Sequence, residues 1–211
     1  MAEASDEELE LGAGGLRECR AAYDAWSHFV VNRPGLVLMF LWAAAEATFW
    51  PVIPDFLLVP MALGARRRAA LPFLAALAGM ALGGSLTFLI ASLAPDQSLS
   101  LLRHLPLVTT AEVDHARARL LHDGVGAFWF QPWSGIPFKV WAVLAGGMHL
   151  DVPSVIPTFI LARGIRMAVF ATAAGLLSSW FTRFVRDFSL FLAVIYVAFF
   201  VYGWWQVMSM S

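Results

Sequence analysis

Long hydrophobic stretches alternate with short polar segments along the chain. Residues 71–94 and 188–208 carry no charged side chain, and each run is long enough for the helix of about 20 residues that spans a bilayer. A third hydrophobic stretch, 154–180, contains Arg163 and Arg166. An arginine at membrane depth is costly and normally faces a partner or water. Since the two arginines are three residues apart, we predict that they point to the same side of this helix and face a partner or water.

Small side chains recur along the first uncharged stretch. Ala75, Gly79 and Gly83 follow one another at every fourth position. Because residues four apart lie on one face of a helix, this spacing predicts a smooth stripe where the backbone of a neighbouring helix can approach closely.

Two further hydrophobic stretches are interrupted by prolines. Proline removes a backbone donor and clashes with the preceding turn, so neither stretch can form one straight helix. Non-helical backbone within a membrane is tolerated only where it is buried in protein or lines a wet cavity. We predict two helix–break–helix elements, which we interpret as re-entrant hairpins. The residues predicted to mark the breaks are Pro51, Pro54 and Gly64 in the first hairpin, and Pro132, Gly135, Pro137 and Gly147 in the second.

The two broken stretches resemble each other. Each contains an Ile-Pro pair, which ends at Pro54 in one and at Pro137 in the other, and a glycine follows at the same offset. A proline-containing helix comes after each hairpin. Paired Pro/Gly-interrupted segments in corresponding positions are typical of transporters that bind substrate near the bilayer midplane. Alternatively, Phe, Pro and Gly are common in membrane helices, and so short a match could arise by chance.

Composition agrees with a membrane protein. Hydrophobic residues make up 60% and charged residues 14% of the 211 residues, whereas soluble domains are about 45–50% apolar and about 25% charged. The predicted fold class is an all-α membrane protein with about four transmembrane helices and the two hairpins, arranged as an inverted repeat. The predicted segments are an acidic and amphipathic interfacial segment (1–32), a first repeat (33–95), a polar connector with an amphipathic helix (96–123), a second repeat (124–182) and a C-terminal spanning helix (183–211).

The N-terminal segment and the polar connector lead to more specific predictions. For the N-terminal segment, a partly disordered tail is the alternative to an amphipathic helix on the membrane surface. In the connector, Thr110 is predicted to be the N-cap of the amphipathic helix.

Several function classes lack a signature in this chain. The formal net charge of −1 offers no basic footprint for nucleic acid. We see no nucleophile beside a base and no His/Cys cluster with metal-ligand spacing, so we predict no cofactor, no metal and no catalytic site. His149 and Asp151 follow the second hairpin and are interpreted as loop groups at the interface.

The charged residues inside the hydrophobic stretches are the candidate chemistry. They are Glu46, Asp55, Lys139, Arg163 and Arg166. Pro54 and Pro137 suit the first turn of a half-helix, whose positive N-terminus would face a phosphate. Protonating Glu46 or Asp55 would release a cation to such a headgroup, which predicts a substrate and proton-coupling site. Alternatively, the same groups pair only to make a costly core tolerable.

Three motifs in this region resemble those of a known family. The first is Glu46, Pro51, Pro54 and Asp55, closing at Gly64; the second is Ser134-Gly135-Ile136-Pro137-Phe138-Lys139-Val140 with Ala145-Gly146-Gly147-Met148; the third is Arg163-Gly164-Ile165-Arg166. In this order they resemble the DedA superfamily, whose shared region is also called the VTT or SNARE-associated domain, and most of all its small YqaA-type branch. Typical members place arginines on both sides of the second-hairpin proline, whereas this chain has Gln131 near the first place and Lys139 after Pro137.

The resemblance implies a location and an activity. It implies a transporter in the bacterial plasma (inner) membrane with two facing re-entrant hairpins. Such a flippase would move an anionic lipid, either a polyprenyl phosphate or a phospholipid, between the leaflets. It also implies a dependence on proton motive force, with protons as the coupling ion. Two other functions stay open: a non-transporting membrane scaffold, and a membrane-embedded lipid phosphatase or transferase.

Overall fold

The computed structural model describes residues 2–105, 108–180 and 182–210, and this part of the chain is helical. The helices are α1 (Ala2–Val31), α2 (Arg33–Thr48), α3 (Asp55–Ala65), α4 (Ala70–Leu93), α5 (Pro95–Arg103), α6 (Thr110–Asp123), α7 (Ala127–Phe130), α8 (Phe138–Gly147), α9 (Val152–Trp180), α10 (Thr182–Asp187) and α11 (Ser189–Met210). Single 3₁₀ turns lie at Arg66–Arg68, Gly124–Gly126 and Gln131–Trp133. The described chain is therefore all-α, as predicted.

Two of the described helices are long and apolar enough to cross a membrane. They are α4 and, within α9, the segment Val152–Ser178. A third candidate is the pair Gly14–Val31 and α2, which are bent by 68° about Asn32. The helix α11 covers 22 residues of the predicted C-terminal span. The predicted count of four spans stays a prediction.

Large hydrophobic side chains line the outer faces of the two spanning candidates. On α4, Leu82, Leu86 and Ile90 are at least half exposed, and so are Leu161 and Ile165 on α9. A contiguous apolar surface of this kind is a liability in water. In a bilayer the same surface faces lipid chains, so the exposed faces agree with the hydropathy of these helices.

The two halves of the chain pack crosswise. The short helix α3 of the first half packs against the long helix α9 of the second, and the short helix α8 packs against α4. In addition α2 lies along α4, and α4 contacts α9. This exchange brings the two breaks towards each other. The inverted relationship of the halves stays a prediction.

The small-residue stripe on α4 explains how closely α2 approaches. A Cβ atom on Gly79 would lie 2.1 Å from the carbonyl oxygen of Phe40, and one on Gly83 would lie 2.4 Å from that of Ala44. Either contact is far shorter than van der Waals packing permits. The predicted close approach of a neighbouring backbone is confirmed.

The polar connector differs from its prediction in two respects. It contains a second helix, α5, which begins at Pro95 directly after α4. The N-cap of α6 is Thr109 rather than Thr110, which makes the prediction wrong by one residue. The reason is a capping box: the Thr109 hydroxyl accepts from the Glu112 N–H at 3.3 Å, while the Glu112 carboxylate accepts from the Thr109 N–H at 2.8 Å.

The N-terminal helix α1 packs on the core. Tyr23 and Val30 are buried. Trp26 Nε1 donates to the carbonyl oxygen of Pro60 at 2.9 Å, and the Tyr23 hydroxyl donates to that of Leu63 at 3.3 Å. These contacts make α1 a support for α3. Its position at a membrane interface stays a prediction.

Candidate functional site

Two ion pairs join the first hairpin to α9. Arg163 Nη2 lies 2.9 Å from Glu46 Oε2, and the two side chains are only 8% and 2% exposed. Arg166 Nη2 pairs with Asp55 Oδ2, with both side chains mostly buried. Since the arginines are three residues apart on one helix, they point to the same side and each meets its own carboxylate. The prediction that both arginines point to the same side and face a partner is confirmed.

Aromatic rings support both guanidinium groups. The Arg163 guanidinium lies 4.8 Å from the centre of the Phe138 ring, and that of Arg166 lies 5.7 Å from the centre of the Phe170 ring. A cation over the face of an aromatic ring is attracted by its quadrupole, by about 2 kcal/mol where the group is desolvated. The rings therefore hold the charged planes in place without neutralising them.

Arg166 and Lys139 tie the two breaks together. While Arg166 Nη2 pairs with Asp55 at the end of the first break, its Nη1 donates to the carbonyl oxygen of Pro132 at 2.6 Å. Lys139, at the start of α8, donates from Nζ to the carbonyl oxygen of Trp50 in the first break at 2.7 Å. Both breaks therefore lie at one centre, where unpaired backbone meets buried charge.

Prolines in the first hairpin leave carbonyl groups without their helical donor. Because proline has no N–H, the carbonyl four residues earlier needs another donor. This applies to Ala47 in α2 and to Phe56 in α3, whereas Trp50 lies in the non-helical break, where its carbonyl has no helical donor in any case. A polar side chain from a different helix supplies the donor in all three places. Thr87 of α4 donates to Ala47 before Pro51, Lys139 of α8 to Trp50 before Pro54, and Tyr196 of α11 to Phe56 before Pro60.

The second break is built from local polar contacts. Gly135 has φ +75°, a conformation that other residues rarely adopt. The Ser134 hydroxyl donates to the Gln131 carbonyl at 2.8 Å and accepts from the Ile136 N–H at 3.2 Å. Gln131 is itself buried, and its Nε2 donates to the Ile136 carbonyl at 3.4 Å. The backbone groups of Gln131 and Ile136 are thus satisfied within the break, whereas the Pro132 carbonyl accepts from Arg166 of α9.

The two prolines predicted for the second hairpin lie at the second break, whereas two of the predicted glycines lie in helices. Pro132 falls inside the 3₁₀ turn Gln131–Trp133, and Pro137 precedes α8 as its N-cap instead of occupying its first turn. Gly64 lies in α3, where a Cβ atom would meet Trp26 Cδ1 at 2.6 Å. Gly147 is the last residue of α8. The two glycines thus mark the far ends of the half-helices, and their prediction as breaks is wrong.

The charges of the centre do not cancel. When all five groups are ionised, the two carboxylates of Glu46 and Asp55 face three cations, which leaves one positive charge in excess. The cations are Lys139, Arg163 and Arg166. Lys139 is 1% exposed. Among the described residues it has no ion pair, although Glu46 and Arg163 both interact with it electrostatically. The excess charge makes the centre suited to a group with one negative charge.

The groups after the second hairpin have local structural roles. His149 has φ +54°, and its N–H donates to the Gly146 carbonyl while that of Leu150 donates to Ala145, which caps the end of α8. The Asp151 carboxylate accepts from the Ser154 N–H at 3.0 Å at the start of α9. Within the described residues no group of three or more His, Cys, Asp or Glu side chains is placed to hold a metal ion.

Sequence reasoning missed two members of the centre, Thr87 and Tyr196. The sequence does indicate that such donors are needed, since each proline in a helix leaves one carbonyl without its usual N–H donor. The sequence does not show which side chain donates to that carbonyl. Thr87 lies 40 residues from its acceptor, and Tyr196 lies 140 residues from its acceptor.

Comparisons with protein-family models, curated proteins and solved structures found no match to this chain. The resemblance to the DedA superfamily therefore depends on the three short motifs alone.

Proposed function

We propose that this chain is an integral membrane transporter that moves an anionic lipid between the two leaflets. The observation that carries the proposal is the position of Arg166, which contacts Asp55 at one break and the Pro132 carbonyl at the other. Transporters place their sites where broken helices meet near the bilayer midplane. The DedA resemblance points to the same activity and to the bacterial plasma membrane.

The excess positive charge favours a phosphate-bearing substrate. A guanidinium binds phosphate through two parallel hydrogen bonds, and Arg163 and Arg166 supply two such groups. Lys139 is the second residue of α8. The Val140 N–H already donates to the Pro137 carbonyl, while the N–H groups of Phe138 and Lys139 precede the first helical acceptor. A phosphate at this place would gain both charge and backbone donors. Polyprenyl phosphates and phospholipids both carry such a headgroup.

The two carboxylates can make substrate binding depend on protonation. Glu46 and Asp55 each hold one arginine in an ion pair. Protonating a carboxylate removes its attraction for the guanidinium, so the arginine becomes available to the phosphate. Deprotonation restores the ion pair and expels the headgroup. This cycle couples one proton to each release and accounts for a dependence on proton motive force.

The cost of the buried charges argues for a role beyond folding. Placing one charged side chain at mid-membrane costs about 2.5–3.5 kcal/mol on insertion scales. Well-packed apolar residues often replace a buried ion pair without loss of stability. A chain that needed only a stable bundle would not require Glu46, Arg163 and their neighbours, so an activity that uses the charges is the better explanation.

Lipid movement in liposomes tests the proposal. Reconstituted wild-type protein is expected to move a fluorescent anionic lipid faster than empty vesicles do, and faster still across an imposed proton gradient. Glu46→Gln and Arg163→Ala are expected to lose this activity. Asp123→Asn, which removes a carboxylate from the solvent-exposed pair with Arg119, is the matched control and should transport normally.

Two outcomes would contradict the transport proposal. The first is equal lipid movement by wild type, both variants and empty vesicles. The second is activity that declines only in proportion to the amount of folded protein, which would favour the membrane scaffold instead. Release of phosphate or another product from the lipid by purified protein would favour the membrane-embedded enzyme.

A further inference from the structure

The helix α3 has a gap in its hydrogen-bond ladder one residue after Asp55. In a regular helix the carbonyl of Phe56 would accept from the N–H of residue 60. Residue 60 is Pro60, which has no N–H and whose ring crowds the carbonyl four residues earlier. The first turn of α3 therefore needs a donor from outside the helix.

The C-terminal helix supplies that donor. The hydroxyl group of Tyr196 donates to the carbonyl oxygen of Phe56, and the two rings lie 5.9 Å apart between their centres. Tyr196 is half-buried, whereas Ile195 and Val197 on either side of it are exposed. Tyr196 is thus the side chain that α11 turns towards the site at this level.

The same turn carries Asp55. Asp55 is the first residue of α3, and its carboxylate pairs with Arg166 of α9. It also interacts electrostatically with the Tyr196 hydroxyl. A single turn is therefore held from one side by α9, through Asp55, and from the other by α11, through Phe56.

We propose that Tyr196 is a positioning residue, whose hydrogen bond to Phe56 holds the first turn of α3 so that Asp55 reaches Arg166. Without this bond, the proline-weakened turn moves and the ion pair loosens. The C-terminal helix is then part of the site and sets how readily Arg166 is released. The effect on transport rests on the proposed function, but the positioning itself does not.

Chemical labelling of Asp55 measures the positioning directly. A membrane-soluble carbodiimide modifies carboxyl groups that are not held in an ion pair, and peptide mass spectrometry locates the product. In Tyr196→Phe, which keeps the ring and removes only the hydroxyl, Asp55 is expected to label about three- to tenfold faster at constant pH, the factor that the loss of one hydrogen bond implies. Glu46, paired with Arg163, serves as the internal reference and should label at the wild-type rate.

Two variants separate positioning from general loosening of the fold. Tyr202→Phe removes a hydroxyl from an exposed ring further along α11, and Asp55 should label at its wild-type rate. Pro60→Ala gives α3 its own N–H for the Phe56 carbonyl. In Tyr196→Phe/Pro60→Ala the labelling rate of Asp55 should therefore return towards that of wild type.

The proposal is overturned if Asp55 in Tyr196→Phe labels no faster than in wild type, or if Glu46 accelerates equally. It is also overturned if Pro60→Ala does not reverse the change. Should Tyr196→Phe alone fail to fold, recovery of folded protein by Pro60→Ala supports the proposal, and failure to recover it contradicts the proposal.

Lipid flipping by the same preparations is a separate readout. Faster labelling in Tyr196→Phe together with no transport by wild type would refute the carrier and leave the positioning role standing.

Discussion

The pair formed by Glu46 and Arg163 permits a test that separates stability from activity. In Arg163→Met the Glu46 carboxylate keeps its buried place, 2% exposed, but loses the guanidinium that lay 2.9 Å away. Glu46→Leu leaves the guanidinium of Arg163 unpaired in the same way. Breaking one side of a buried pair costs about 3–5 kcal/mol, because an uncompensated charge remains. The double variant Glu46→Leu/Arg163→Met removes both charges and leaves side chains of similar volume.

The expected magnitudes follow from this arrangement. For a chain of this size, 1 kcal/mol corresponds to roughly 2–4 °C in Tm, so each single variant should unfold about 6–20 °C earlier than wild type. The double variant should unfold within a few degrees of wild type or above it, since apolar replacement of a buried pair is often neutral or stabilising. The double variant also loses the contact between the Arg163 guanidinium and the Phe138 ring, which lowers its stability by about 0.5–2 kcal/mol.

The assay combines unfolding with transport. The nine tryptophans allow thermal unfolding to be followed by intrinsic fluorescence in detergent. Lipid flipping is measured on the same preparations after reconstitution. We expect the double variant to be stable and inactive. If the single variants are as stable as wild type, the inference that each charge depends on its buried partner is refuted. A double variant that flips lipid at the wild-type rate would show that the pair serves folding alone.

Three further predictions test other parts of the structure. Lys139→Met removes the excess charge and leaves the Trp50 carbonyl without the Lys139 donor, so the protein should lose about 1–3 kcal/mol of stability. Flipping of an anionic lipid per amount of folded protein should fall about tenfold, and an unchanged rate would argue against a role for this cation. Gly79→Ala places a methyl group against the Phe40 carbonyl and should destabilise the protein by about 1–3 kcal/mol, whereas Gly147→Ala, whose Cβ meets only an ordinary contact at 3.5 Å, is the tolerated control in the same unfolding assay. His149→Gly relieves a left-handed backbone and should raise stability by about 0.5–1 kcal/mol, and a lower Tm would contradict this account of the α8 cap.

The sequence predicted the elements well where one physical constraint decides the outcome. Long uncharged runs allow only a helix in lipid, because every backbone group must find its partner within the segment. Prolines predicted the two breaks near residues 51–54 and 132–137, because a proline lacks the N–H that a continuous helix needs. The spacing of Gly79 and Gly83 predicted a close helix contact, since a helix face is set by local geometry. The start of α6 was predicted less well, because Thr109 and Thr110 are chemically alike and only the reach of Glu112 distinguishes them.

The sequence alone also identified which charges must be inside, since Glu46, Asp55, Lys139, Arg163 and Arg166 all fall within hydrophobic runs. It could not say which carboxylate meets which cation. That choice depends on the crosswise packing of α3 on α9 and of α8 on α4, which joins residues more than 85 positions apart. Local propensities carry no information about such distant contacts. The donors for the proline-exposed carbonyls were decided in the same way, because any buried hydroxyl or ammonium could satisfy them and only the tertiary structure brings one within reach.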